Sequence, residues 1–297
     1  MLSVLIPTLR YDPTQLVSAL HHQLTDAGIP FEIIVADDAP DSPMGGVHTQ
    51  LMTQFPKCRA LIRETNLGAF DNRMALANDA AYGRLLFLDE DAVLPDQFIH
   101  RYLEHIKTKG NVVLGGSRFD SKTPNNPALH LRWKVGKKRE STPARIRQRD
   151  PYSRFITCNF IIDADVMRVL PKHDEISGYG HEDTMMGYDL RYAFVPLVHV
   201  DNPIGHAQLD DAEVFLRKTR TAVSNLARLI AAGMIDEDVK LYKYYRRVET
   251  TGMKGVLAAY VQSNSARMEA RLSRSNPPLR LYDLYKLGHL CLAMKTL

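Results

Sequence analysis

Asp89-Glu90-Asp91 is the strongest chemical signal in this 297-residue chain. It follows the apolar run Leu85–Leu88, which reads as a buried strand. Positions i and i+2 of an extended strand point to one side, so Asp89 and Asp91 are expected to face one site together. Two convergent carboxylates suit a hard divalent cation, Mg2+ or Mn2+, whose remaining ligands are substrate phosphate oxygens. A lone Asp-x-Asp is more often a solvated acidic turn, but the strand end favours the cation. Asp37-Asp38 closes a second apolar run, Phe31–Ala36. These carboxylates either cap a turn or accept hydrogen bonds from a nucleoside. In Gly178-Tyr179-Gly180-His181-Glu182-Asp183, the two acids fall in the first turn of a helical segment. Complementing the helix terminus accounts for one acid, and a second is a candidate general base for an incoming hydroxyl. Arg73 lies on the helix opening at Asn66-Leu67-Gly68 and could neutralise a diphosphate, where the plainer reading is a solvated helix face.

The elements around these residues alternate. Apolar runs at Ser3–Pro7, Phe31–Ala36, Leu85–Leu88 and Val112–Leu114, with a weaker one at Arg59–Arg63, read as strands. Helical periods fill Thr14–Ala27, Gly68–Tyr82 and Pro95–Lys107. Continuous apolar strands alternating with helices mean a mostly parallel sheet covered on both faces. Ligands of such sheets sit beyond the carboxyl ends of the strands, where Pro7-Thr8, Asp37-Asp38 and Asp89–Asp91 converge. Residues 117–153 break the pattern and are expected to form a long loop. Strand character resumes at Phe155–Ile162 and Phe194–Val200, with a helix at Glu182–Ala193 between them. From 211 onward the chain reads as four helices, 211–232, 236–248, 253–272 and 279–294. The expected division is a sheet domain at 1–210 and a helical extension at 211–297.

Composition bounds the rest. A hydrophobic share of 45% with 24% charged residues excludes a disordered or collagen-like chain. Three cysteines, Cys58, Cys158 and Cys291, without CxxC spacing, argue against a disulfide framework and suit a reducing compartment. The start lacks a basic n-region, so it does not read as a secretory signal. No apolar stretch reaches the roughly 18 residues of a membrane span. The expected location is cytoplasmic, or peripheral at the inner face of the cytoplasmic membrane.

Taken together, LSVLIPT, FEIIVADD, NLGAFDNR, GRLLFLDEDAVLP and GYGHEDTMMGYDL resemble the family 2 glycosyltransferases of the GT-A fold in order, spacing and strand context. DNPIGHAQLDDAEVFLRKT is similar to a subgroup common in Bacteroidetes-type bacteria. The resemblance implies a GT-A α/β fold and an inverting, metal-dependent transfer from a nucleotide sugar, with a UDP-sugar the expected donor. The acceptor would be a hydroxyl of a saccharide or lipid-linked saccharide, in bacterial surface-polysaccharide synthesis. Pro7, Thr8, Asp37, Asp38, Asn66, Gly68, Arg73 and Asp89 would form the donor site. Thr8 and Asp38 would hold the base there, with Asp37 supporting. Asp91 and Asp89 would bind Mn2+ or Mg2+, with Asp91 the direct ligand and His206 completing the site. Asp183 would be the catalytic base and Glu182 its orienting neighbour. Leu9-Arg10, Ala39-Pro40 and Met74 depart from the family pattern and put the sugar's identity in question.

Two alternatives compete. A sugar-phosphate nucleotidyltransferase would need a glycine-rich loop after the first strand, and LIPTLRYD has none. An inactive surface-binding protein would have no need of Asp38, Asp89, Asp91 and Asp183 together. The net charge of +4 hides a cancellation. Eight Lys and Arg lie within 132–149 (Arg132, Lys134, Lys137, Lys138, Arg139, Arg145, Arg147, Arg149), and the tail after 236 is also basic. These segments are either solvated or suited to anionic lipid heads or a lipid-linked diphosphate. No nucleic-acid-binding signature accompanies them. The C-terminal helices are also candidates for pairing with a second copy.

Overall fold

The computed structural model describes residues 1–297. In chain order the elements are β1 (Leu2–Thr8), α1 (Thr14–Asp26), β2 (Phe31–Asp37), α2 (Gly45–Gln54), β3 (Cys58–Ile62), α3 (Ala69–Asp79) and β4 (Arg84–Leu88). There follow β5 (Ala92–Val93), α4 (Phe98–Ile106), β6 (Val112–Leu114), α5 (His130–Val135), α6 (Ala144–Arg147), β7 (Asn159–Asp163) and α7 (Ala164–Arg168). The rest is α8 (Glu182–Tyr192), β8 (Leu197–His199), β9 (Gly205–His206), α9 (Ala212–Ala231), α10 (Lys240–Thr250), α11 (Lys254–Leu272) and α12 (Leu279–Ala293).

The chain forms two compact units. One is Met1–Arg118, Ser141–Lys172 and Met186–Gln208; the other is Phe119–Glu140, His173–Met185 and Leu209–Leu297. Beyond the expected tail, the second unit takes in two segments from the middle of the sequence.

The first unit is built on a seven-stranded sheet of order β3-β2-β1-β4-β7-β6-β8. Parallel pairing joins β3, β2, β1 and β4, while β7 runs antiparallel to both β4 and β6. The sheet is therefore mostly parallel, as expected, with β7 reversed. Alternate residues of the strands serve opposite faces. Val4, Ile6, Ile33 and Val35 pack with Leu16, Val17 and Leu20 of α1 and Phe98 and Tyr102 of α4. Leu5, Ile34 and Phe87 pack with Leu76 of α3, Met167 of α7 and Leu190 of α8. Thr8, Asp37 and Leu88 end their strands at one edge, which sets the acidic residues beside each other. Because β7 is reversed, its first residue lies at this edge too, and Leu88 pairs with Asn159.

The second unit is helical. Leu131 and Val135 of α5 pack with Phe215 and Leu216 of α9, Val261 of α11 and Tyr285 of α12. Residues 117–153 are thus not a structureless loop, but hold α5, α6 and a π-helical turn at Gly136–Glu140. The buried pair of α5, Leu131 and Val135, spans little more than one helical turn and gives too short a period to register in the sequence. No helix is long and apolar enough to cross a membrane.

Candidate functional site

At the sheet edge, Asp37 is fully buried. Its Oδ1 accepts from the backbone N–H of Arg10 at 3.0 Å and of Ala39 at 3.1 Å, and Oδ2 accepts from Ser42 Oγ. It holds the loops after β1 and β2 from beneath. Asp38 Oδ1 accepts from Leu67 N–H at 2.8 Å and Oδ2 from Gly68 N–H at 2.7 Å, while Asn66 Nδ2 donates to the Asp38 carbonyl at 2.8 Å. Gly68 opens α3 at φ 86°, a left-handed conformation that suits glycine. Asp38, Asn66 and Gly68 thus form one bonded cluster. Beside it, Thr8 Oγ1 is buried with no hydrogen-bond partner. Pro7, half-buried, precedes it on β1.

Arg73 projects from α3 and is 7% exposed. It donates to the Ala69 carbonyl at 3.2 Å and to Asp89 Oδ1 at 2.9 Å, and its Nε is buried and unpaired. Leaving a buried donor or hydroxyl unpaired costs about 1–3 kcal/mol. Two such atoms at one edge are what a polar ligand would satisfy.

The acidic motif differs from the expected arrangement. β4 stops at Leu88, and Asp89–Ala92 is a turn closed by Ala92 N–H donating to the Asp89 carbonyl at 3.1 Å. Alternation of strand side chains no longer applies there, and Asp89 binds Arg73. No group of three His, Cys, Asp or Glu side chains converges anywhere as a metal site, so Asp89, Asp91 and His206 do not form a ready three-ligand set. Asp91 and His206 do come together. Ala92 pairs with His206 across the antiparallel β5–β9 ladder, and the Asp91 carbonyl accepts from Ala207 N–H at 2.8 Å. That ladder sets His206 Nδ1 3.3 Å from Asp91 Oδ2. One carboxylate and one imidazole offer the oxygen and nitrogen donors that a Mn2+-type cation accepts, provided that a ligand's phosphate oxygens fill the other positions. The residues present fit such a cation.

Glu90 escaped the sequence reading. Its Oε2 accepts from Leu9 N–H at 2.7 Å and ties the loop after β1 to the acidic turn. Burial, with Asp89, Asp91 and Asp37 nearby, pushes its carboxyl up to about 7. Tyr11 lies in the same field: burial, then Asp91, Glu90 and Asp12, raise its hydroxyl above the usual range.

His199 sits elsewhere in this unit and serves structure. Its Nδ1 accepts from Arg147 at 2.9 Å, so its Nε2–H donates to the Pro151 carbonyl at 3.0 Å. Asn159 is likewise internal, bonded to Gly116, Asn202 and Tyr102.

In the helical unit, the glycine–acid segment is a strained turn. Gly178, Gly180 and His181 lie at φ 71°, 101° and 75°. Asn225 of α9 is fully buried, donates to the Tyr179 and Gly180 carbonyls at 3.2 and 2.9 Å, and accepts from Ser177 N–H at 3.2 Å. Arg228 Nε donates to the Glu175 carbonyl at 2.7 Å. The clamp presents Glu182 and Asp183 in the first turn of α8. Glu182 Oε2 is buried without a partner. His181 Nδ1 lies 3.1 Å from Thr184 Oγ1, and desolvation with Lys286 nearby depresses its pKa to about 4.

A mostly parallel sheet with polar groups gathered at its carboxyl edge, beside an acidic turn, is the architecture of the GT-A fold. The chain belongs to glycosyl transferase family 2, whose model matches residues 3–169. Among solved structures, GalNAc-T7 with UDP, GalNAc and Mn2+ aligns at TM-score 0.52 and 15% identity, covering 71% of this chain and 43% of that one. The chain thus spans less than half of that relative. Glucosyl-3-phosphoglycerate synthase from Mycobacterium tuberculosis, in complex with Mn2+, UDP and glucosyl-3-phosphoglycerate, aligns at TM-score 0.52 and 14% identity, covering 80% and 81%. No curated protein sequence matches.

Proposed function

We propose that this family 2 enzyme is an inverting, metal-dependent glycosyltransferase that moves a sugar from a UDP-sugar to a hydroxyl of a saccharide or lipid-linked saccharide. The pairing of Asp91 with His206 beside the Arg73–Asp89 contact carries the reading. The complexes of both structural relatives contain UDP and Mn2+, which supports the donor and the metal.

In this reading Thr8 Oγ1 and the Asp38 cluster receive the nucleoside, with Asp37 supporting from below. Arg73 faces the diphosphate, and Asp89 fixes Arg73 and lies by the ribose. Asp91 and His206 hold Mn2+ or Mg2+, which when bound neutralises charge on the departing diphosphate. The acceptor oxygen attacks C1 as the C1–oxygen bond to the diphosphate breaks. The hydroxyl proton passes to the Asp183 carboxylate, and Glu182 orients that carboxylate or the acceptor. A single displacement inverts the configuration at C1. Surface-polysaccharide synthesis is the setting we propose for the acceptor.

A donor-hydrolysis assay with Mn2+ tests this reading. One of UDP-, GDP- or dTDP-sugars should be cleaved, with the UDP-sugar preferred, and Asp91→Ala should abolish metal-dependent nucleotide binding. Intact donors in every case, with unchanged nucleotide binding by Asp91→Ala, would overturn it.

A further inference from the structure

The basic residues divide into two groups once their partners are known. Within 132–149 most cations are engaged inside the chain. Arg132 binds Glu140 through two bonds, at 2.8 and 3.0 Å. Lys134 donates to the Pro277 carbonyl at 2.9 Å, Lys137 to that of Ser121 at 2.6 Å, and Arg139 to Asp283 at 2.8 Å. Arg147 is buried against the carbonyls of Gly115 and Val200. Of the eight, Lys138, Arg145 and Arg149 are exposed without an ion pair.

The helices α10 and α11 differ. At 100° per residue, Met253, Val256, Tyr260, Arg267 and Arg271 fall within roughly 60° of one another about the α11 axis. All five are exposed, and Arg274 follows them just past the helix. Buried Val261, Met268 and Leu272 mark the side turned to the core. On α10, Lys240, Lys243, Tyr244 and Arg247 share a face within roughly 100°, are exposed, and have Arg247 over the Tyr244 ring at 5.6 Å. No ion pair engages Lys240, Lys243, Arg267, Arg271 or Arg274. The acid between the helices, Glu249, is held by Arg246 and Lys254, and Glu269 binds Arg220 on the inward side.

We propose that the outer faces of α10 and α11 dock on an anionic lipid bilayer. Exposed Tyr, Met and Val suit the headgroup–acyl boundary, and uncompensated Lys and Arg suit its negative surface potential. A second copy is disfavoured, because two such faces would set like charges against each other. Nucleic acid would meet the cations but leave Met253 and Val256 without an apolar counterpart. The proposal stands apart from the donor and acceptor assignments and would persist if they failed.

Co-sedimentation of the full chain with phosphatidylcholine vesicles, with and without phosphatidylglycerol, tests it. Binding is expected only to the anionic vesicles and should fall as salt rises. Arg267→Gln with Arg271→Gln should weaken it roughly 30-fold, about fivefold per cation, with donor hydrolysis unchanged. Lys240→Gln with Lys243→Gln is the independent second variant, should the first fail to fold. Equal binding to neutral vesicles, or full binding by either folded variant, would overturn the proposal. So would an oligomer that sediments as a monomer once Arg267 and Arg271 are replaced, or selective binding of an RNA probe with no vesicle binding.

Discussion

The roles of Asp91, His206 and Asp183 separate by what each removal should leave intact. His206→Ala deletes an imidazole 3.3 Å from the Asp91 carboxylate, so it should weaken Mn2+-dependent UDP binding while Asp183 is untouched. Asp183→Asn keeps the shape but not the basicity of the group, and general-base catalysis contributes roughly 10²–10⁴-fold. It should lower kcat by about that factor with UDP affinity unchanged, as read by steady-state kinetics beside calorimetric titration of UDP with Mn2+. Loss of UDP binding in Asp183→Asn would remove it from the role of base. Asp38, Asp89 and Asp91 were visible in the sequence because their strands are unbroken apolar runs. The association of Asp91 with His206 was implied by the family resemblance alone, because two-residue strands 115 positions apart carry no periodic signal. The role of Glu90 was hidden because its partner is a backbone N–H, which every residue but proline has.

Among the elements, the four C-terminal helices were legible from their apolar period, and the structure places them within a few residues of the expected bounds. Their close packing was not, because it depends on one small residue. Gly288 of α12 is so near α11 that an added Cβ would lie 2.1 Å from Val261 Cγ2. By helix propensity alone, alanine there would stabilise by about 1 kcal/mol. The contact reverses the sign, and Gly288→Ala should destabilise by about 1–3 kcal/mol, the usual cost of overpacking. Urea denaturation followed by circular dichroism would show the change, and a stabilised variant would refute the close approach. The reversed strand β7 also escaped the pattern, since an apolar run has no direction of its own. Only its neighbours decide that Leu88 meets Asn159 antiparallel.

For the whole molecule, stability should depend on pH through histidines that the fold keeps neutral. Burial, with Arg147 and Arg154 nearby, outweighs the opposing carbonyl of Pro151 and lowers His199 to about 4, and His181 also lies at about 4. An unfolded histidine titrates near 6.5. At these two histidines the unfolded chain binds more protons than the folded one between these values, so their contribution is complete above about pH 6.5 and falls as pH drops toward 4, while Glu90, held at about 7, offsets part of the loss. Below that both states are protonated and the loss levels off. His199, 6% exposed, accounts for about 3 kcal/mol of it. Melting temperature recorded across this range should fall with acid, and His199→Gln should flatten the slope; an unchanged slope would refute the assignment.

The interleaved course of the chain also bears on its synthesis. Leu131 and Val135 of α5 rest on Val261 and Tyr285, which follow them by more than a hundred positions. At roughly 5–20 residues per second on the ribosome, that interval is on the order of ten seconds. During it α5 has emerged with its apolar side uncovered, while β1, β2 and β3 already have their partners. The helical unit is therefore the last to close on a nascent chain and the part most in need of chaperone cover.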